Sequence, residues 1–385
     1  MASAAQRGGA NVIRGWCPTV HEPMQTGDGL LVRVKPPGGR LSSDAARRLA
    51  ASARAYGNGI MELTGRGNFQ VRGLTPEGVA LFAAAMVETG LASADAGAER
   101  RRNVLVSPLS GDDPHVADET DALSASIEAM LVDGIGLGRL PPKFCIAVDG
   151  GGVLPLAFSA ADIIVRLDPL TVMVGEGRLS TAAFGRGEGV DGRPSPTTAI
   201  EATTALLRQL AADAGDRRMH DPVRVPLRPV EPVGFHQYAS APHGAFGLGL
   251  PFGETDAATL TALAGLAERF SDGILRVSPW RTLLLGSVRT GDAGRVAEEA
   301  TALGLIADPR DPRLRVFACI GSAGCASGSV PARADAARLA ATEFEGTLHV
   351  SGCAKGCAHP SPATVTMVGE AGRYHVVHND RASAA

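Results

Sequence analysis

The stretch GIMELTGRGNFQVRG, Gly59–Gly73, lies over GILRVSPWRTLLLGS, Gly273–Ser287, when the chain is set against itself at an offset of 214 residues. Each reads as a strand, a short basic turn and a second strand. Working outward, the same offset puts LVRVKPPGGR (Leu31–Arg40) over AFGLGLPFGE (Ala245–Glu254) without a gap. Between these, Ser42–Ala55 and Asp256–Phe270 space their apolar residues as helices do. Each opens on a Ser or Asp able to cap a first turn. At a nearly equal offset Arg101–Pro108 lies over Leu314–Gly321. Lys143–Gly151 resembles Thr347–Gly356 in pattern, and Ala161–Gly177 matches Ala363–Val377 as a hairpin. Several matches in one order make the chain a tandem duplication, its second copy truncated at the end.

The expected fold is α+β. Each copy holds a smaller strand–helix–strand piece, half of a ferredoxin-like sheet, and a larger α/β piece. Half a sheet cannot bury its face alone, so the two smaller pieces should pair into one sheet. Two α/β domains then stand around a central cleft. The expected divisions are 18–80 and 98–215 for the first copy, 232–305 and 311–385 for the second. Asp213–Glu231, rich in Pro, Arg and Asp, reads as the linker.

A chain of 385 residues suits two or three domains. With 45% hydrophobic residues but only 4% aromatics, its cores must be built from Ala, Val and Leu. No apolar run approaches the roughly 20 residues that span a bilayer. The opening MASAAQRGGANVIRG lacks the apolar stretch of a secretory signal, so the expectation is a soluble, cytoplasmic protein. A net charge of −3 gives no bulk case for nucleic acid. Only Lys35, Lys143 and Lys355 are lysines, against a majority of arginines, which genomic codon bias explains. Lysine, unlike arginine, can lose its proton when buried.

Six cysteines occur, four of them late: CIGSAGC (Cys319, Cys325) and CAKGC (Cys353, Cys357). The spacing is C-x5-C, then 27 residues, then C-x3-C, among Gly321, Gly324, Gly328, Gly352 and Gly356. Four thiolates with inward-pointing amides are what a 4Fe-4S cluster needs. Structural zinc favours tighter pairs, and disulfides do not suit a cytoplasmic chain; both stay open beside unconnected buried thiols. Cys17 and Cys145 lack partners at ligand spacing and read as plain thiols.

On these residues the chain resembles the sulfite and nitrite reductase family, from about Pro23 to His378. The resemblance makes Cys319, Cys325, Cys353 and Cys357 the 4Fe-4S ligands, with Cys357 in the place of the cysteine that also touches siroheme iron. TGRGNFQVRG resembles the family's TTRQxxQxxG stretch, which puts Arg66 opposite an active-site anion. Arg102, Asn103 and Val104 stand where the family has RNV. PPKFC is similar to PRKFK, which carries two site lysines; Lys143 keeps the first and Cys145 replaces the second. That loss removes a charge and a proton donor from a reductase site.

One branch of the family, the precorrin-3B synthases, is more similar. Its opening resembles RGWCPTVHEPMQTGDGLLVRV (Arg14–Val34), and GNGIMELTGRGNFQVRGL and SGCAKGCAHP also look like it. The branch implies an O2-dependent monooxygenase that hydroxylates precorrin-3A and closes a lactone in cobalamin (vitamin B12) biosynthesis. It also implies a 4Fe-4S cluster and a mononuclear non-haem iron. The substrate is a tetrapyrrole polyanion, and arginine grips carboxylates in a two-pronged fork. Arg33, Arg66, Arg72, Arg102, Asn103 and Lys143 are the substrate-binding candidates, with Arg66, Arg102 and Lys143 as the catalytic ones.

For the second iron, His236 and His243 form a loose pair, His359 adjoins the cysteines, and His21 and Glu22 lie near Cys17. The glycine-rich runs at 185–193 and 134–138 carry no dinucleotide fingerprint. Electrons are therefore expected from a separate ferredoxin or NAD(P)H-dependent reductase. The alternatives are a siroheme-dependent sulfite or nitrite reductase, and a non-catalytic iron–sulfur electron carrier or sensor.

Overall fold

The computed structural model describes residues 17–134, 143–156, 161–167, 170–174, 178–180, 230–239, 241–342 and 344–384, with a few single positions between them. Most of the expected linker and of both glycine-rich runs lies outside these residues.

The first copy begins β1 (Met24–Thr26), β2 (Gly29–Val34), β3 (Arg40–Ser42), α1 (Ser43–Tyr56), β4 (Ile60–Leu63), β5 (Phe69–Leu74) and α2 (Pro76–Glu88). It continues α3 (Ala96–Arg101), β6 (Val104–Val106), α4 (Thr120–Asp133), β7 (Ile146–Asp149), β8 (Ile163–Leu167), β9 (Leu170–Val174) and β10 (Arg178–Ser180). The second copy runs β11 (Gly234–Gln237), β12 (His243–Gly249), β13 (Glu254–Asp256), α5 (Ala257–Phe270), β14 (Ile274–Val277), β15 (Thr282–Arg289) and α6 (Ala293–Ala302). It ends β16 (Val316–Ala318), α7 (Ala332–Ala340), β17 (Leu348–Ser351), β18 (Ala363–Glu370) and β19 (Arg373–Asp380).

The two main helices start where the caps predicted. Ser42 accepts from the Ala45 amide at 3.2 Å and Asp256 from the Thr259 amide at 2.7 Å. Their buried faces are small and aliphatic: Ala46, Leu49, Ala50 and Ala53 on α1, Leu260, Leu263, Ala264 and Ala267 on α5. The helices pack together, and one core joins both copies.

The pairing of the half-sheets differs from the expectation. They form two five-stranded sheets, β1–β2–β5–β4–β13 and β11–β12–β15–β14–β3, rather than one. Each sheet takes its last strand from the other copy: Thr255 of β13 pairs with Met61 of β4, and Leu41 of β3 with Leu275 of β14. Without this exchange β4 and β14 would be bare edges, and three residues ahead of the neighbouring helix suffice to cover each.

The larger pieces are sheets ordered β10–β9–β8–β7–β6 and β16–β17–β18–β19. Three adjacent strands run parallel in each, so their carboxyl ends and following loops gather on one side. α4 covers β6 and β7, and α7 covers β16 and β17. Among the described residues no helix is long and apolar enough to cross a membrane.

Candidate active site

Parallel strands carry the cysteines. Cys319 follows β16 directly, and Cys353 follows β17 by two residues. The Gly352 amide donates to Cys319 Sγ at 3.1 Å, and the Gly321 amide also reaches this thiol. Burial raises the Cys319 thiol, the two amides oppose that, and Cys353 and Cys325 raise it further. Cys357 is likewise raised by burial and then by Cys319, Cys353 and Cys325, so all four thiols share one site.

The cradle is walled by glycine. Gly321 has φ +66°, and a Cβ there would lie 2.4 Å from the Val330 carbonyl. A Cβ on Gly352 would lie 2.9 Å from Gly321 Cα and 3.5 Å from Cys319 Sγ. Among the described residues no three His, Cys, Asp or Glu side chains converge as on a single metal ion. Four thiols around a glycine-lined space, with amides aimed at sulfur, fit an iron–sulfur cluster.

The cradle is docked on the first sheet. Across that sheet Arg33 (β2), Gln70 (β5), Glu62 (β4) and Glu254 (β13) form one register row. Gln70 accepts from Arg33 at 2.8 Å and donates to Glu62 at 3.0 Å. Arg333 of α7 pairs with both Glu62 and Glu254. Burial alone would raise the Glu62 carboxyl, but Arg333 and Arg72 hold it below the usual range.

The six sequence candidates divide. Arg72 is buried, pairs with Asp28 at 3.0 Å and Glu62 at 3.5 Å, and donates to the Gly324 carbonyl at 2.6 Å. Arg102 is buried between Glu99 at 2.5 Å and Glu128 at 3.1 Å, with the Leu91 carbonyl at 2.6 Å. Asn103 donates to the Arg100 carbonyl at 3.0 Å, closing α3. Arg33 donates to Cys17 Sγ at 3.1 Å as well as to Gln70, and Arg66 donates to the Lys143 carbonyl at 3.2 Å. Burial and the neighbouring Arg66 lower the Arg33 guanidinium, so these two cations face one space.

Two further cations join them. Lys35 is buried, donates to the Glu99 carbonyl at 2.7 Å, and is pushed by burial down to about 8. Arg281 donates to the Ala358 carbonyl at 2.6 Å. Among the described residues no carboxylate lies within 4.0 Å of Arg33, Lys35, Arg66 or Arg281. Cys145 is buried beside them; burial pushes its thiol up to about 11 despite the pull of Arg66.

Among the described residues the histidines do not assemble a second iron site. His21 bonds the Ser93 carbonyl at 2.7 Å, and Glu22 pairs with Arg100. His243 lies edge-on to Tyr238, and His236 keeps a buried Nε2 without a hydrogen-bond partner. His359 stacks on Phe317 at 4.2 Å. His349 is fully buried, neither ring nitrogen has a partner, and burial and His359 push it down to about 4. The described residues thus fit the cluster and do not fit a two-histidine, one-carboxylate iron; position 220 lies outside them.

The comparisons with known proteins bear on this arrangement. A family model, "Nitrite/Sulfite reductase ferredoxin-like half domain", matches residues 22–88 and again 238–303, the two halves of the duplication. The chain is 33% identical to a precorrin-3B synthase from Sinorhizobium sp, over 97% of this chain and 84% of that one. It is 24% identical to a chloroplastic ferredoxin–nitrite reductase from Zea mays, over 92% of this chain and 72% of the relative. The solved structure of the Mycobacterium tuberculosis NirA protein superposes with a TM-score of 0.64 at 21% identity, covering 89% of this chain and 71% of that one. The last likeness is one of fold.

Proposed function

The chain belongs to the precorrin-3B synthase family, and from that premise we propose that it inserts one oxygen atom of O2 into precorrin-3A. The hydroxylated product then closes a lactone from a ring acetate. The second oxygen atom leaves as water, which takes two electrons and two protons. A 4Fe-4S cluster on Cys319, Cys325, Cys353 and Cys357 would relay those electrons singly from a ferredoxin or an NAD(P)H-dependent reductase.

The observation that carries the reading is the set of cations without carboxylate partners. Arg33 and Arg66 take acetate and propionate arms of the macrocycle, which supply the missing counter-charge. Lys143 joins them by its place in the motif alone. Lys35, poised near 8, can hold or release a proton at Nζ inside the cleft. Arg72 and Arg102 already have carboxylate partners, so this reading makes them positioning residues. Arg72 ties the Cys325 loop to the first sheet, and Arg102 ties α3 to α4. Cys145 favours the monooxygenase over the siroheme-dependent reductase. A thiol held near 11 is neutral, so it brings no positive charge to a small anion.

The test is an anaerobic purification, a visible spectrum and extraction into acidified solvent. A brown iron–sulfur spectrum without extractable tetrapyrrole is the expected result. Bound siroheme would return the chain to the sulfite and nitrite reductases.

A further inference from the structure

The duplication supplies its own control for one turn. Between β4 and β5 of the first copy, Gly67 sits at φ +63°. At the same place 214 residues on, between β14 and β15, stands Arg281 at φ +58°. Glycine enters this left-handed region freely and a residue with a Cβ does not. The second copy therefore keeps an arginine where the first keeps the residue the turn prefers. Backbone strain of this kind persists where the surrounding structure holds it and the side chain is used.

The side chain has a cleared path. It crosses Gly253, where a Cβ would lie 2.9 Å from Arg281 Cδ. Its guanidinium ends beside the fourth cluster cysteine, donating to the Ala358 carbonyl at 2.6 Å and standing 6.0 Å from the Phe317 ring centre. That carbonyl is its one acceptor among the described residues, while a guanidinium carries five N–H groups. Burial and Arg333 both lower its pKa, and only Glu62 opposes them. Glu62 is already paired with Arg72 and Arg333. Arg33 feels the same Glu62 charge, so Arg281 and Arg33 both lie near that carboxylate.

We infer that Arg281 binds a carboxylate arm of the substrate on the cluster side of the cleft, while Arg33 and Arg66 hold arms from the first copy. The inference rests on the tetrapyrrole reading above. Two-sided capture fixes the rotation of a macrocycle in its own plane, so a single ring edge meets the reacting position.

The experiment uses the full-length, iron-loaded protein and an octacarboxylate porphyrin, uroporphyrin, as the probe. Fluorescence quenching gives its Kd for the wild type and for Arg66→Gln, Arg281→Gly and Arg281→Asn; Tm and iron content are read in parallel. Expected are a loss of about tenfold or more in affinity for both Arg281 variants, unchanged iron, and for Arg281→Gly a Tm equal to or above the wild type. Wild-type affinity in the Arg281 variants, with Arg66→Gln weakened, overturns this inference alone. A wild type that does not bind the probe removes the tetrapyrrole reading and the inference with it. A fall in Tm with loss of iron in Arg281→Gly makes the residue a scaffold and overturns the inference as well.

Discussion

Lys35 shows what a single buried charge does to this fold. It follows β2, is 5% exposed, and has a backbone carbonyl rather than a carboxylate as its acceptor. Burial, aided by Arg102 and Arg33 and opposed by Glu99 and Cys17, takes it from 10.5 to about 8. In the unfolded chain the amine stays protonated up to about 10.4. Between these values the unfolded state binds the extra proton, so stability rises with pH. Below 8 both states are charged and the full penalty, about 3 kcal/mol, weighs on the fold. Urea titrations of wild type and Lys35→Met should therefore converge or cross as pH goes from 7.5 to 10.5, the wild type gaining on the variant. A constant difference across that range would refute the buried, depressed amine. In the sequence Lys35 stands out only as one of three lysines, because its role depends on what surrounds Nζ. For Arg72 and Arg102 the motifs gave the position, but each also has a carboxylate partner well away in sequence, Asp28 for Arg72 and Glu128 for Arg102.

At the scale of elements, what was legible is what repeats. The strand–turn–strand units at Gly59 and Gly273 carry enough pattern to be matched, and β4–β5 and β14–β15 follow it. The exchanged strands β3 and β13 are three residues long, too short for any periodicity, so the crossing of edges was not readable. The cradle loop is the second lesson. Aligned on β6 and β16, whose offset is 212, Ser107 stands for Cys319 and Asp113 for Cys325. There the copy-1 loop is closed by its own hydrogen bonds: Asp113 accepts from the Val153 amide at 2.7 Å, and Ser107 accepts from Gly150 at 2.9 Å. The same loop geometry, given thiols and a glycine wall, becomes the cradle that the proposed cluster would occupy. Gly321→Ala sets a Cβ 2.4 Å from the Val330 carbonyl at a positive φ, a strain of roughly 1–3 kcal/mol before the clash is counted. The expected outcome is loss of more than half of the iron and acid-labile sulfide, with the far-ultraviolet circular dichroism kept. Full iron content in Gly321→Ala would show that the cradle tolerates a side chain and would undercut the close packing described.

For the whole molecule, the duplication had to solve a sorting problem: two similar sheets must each receive the right α/β piece. Charge does this. The row Arg33–Gln70–Glu62–Glu254 on the first sheet has, at offset 214, the counterpart Gly247–Leu284–Arg276–Arg40 on the second. The two glutamates of one row become two arginines in the other. The acidic pair receives Arg333 from the half that carries the four late cysteines. The basic pair receives carboxylates of the first-copy α/β half, Arg40 meeting Asp121 at 2.7 Å and Arg276 meeting Asp112 at 3.7 Å. Mis-docking would set like charges face to face in a buried contact. Burial decides how much each pair is worth. Glu62 has a side chain 12% exposed and holds two arginines, whereas Glu254 is 35% exposed and holds one. Removing one partner of a buried pair costs about 3–5 kcal/mol, while an exposed pair contributes at most about 1 kcal/mol. Glu62→Gln should therefore destabilise the chain strongly and open the cysteine-rich half to limited proteolysis. Glu254→Gln, though it faces the same arginine, should change denaturation and cleavage little. Equal effects of the two variants would mean that Arg333 is anchored by something other than the acidic row, and that the sheets are told apart by shape rather than charge.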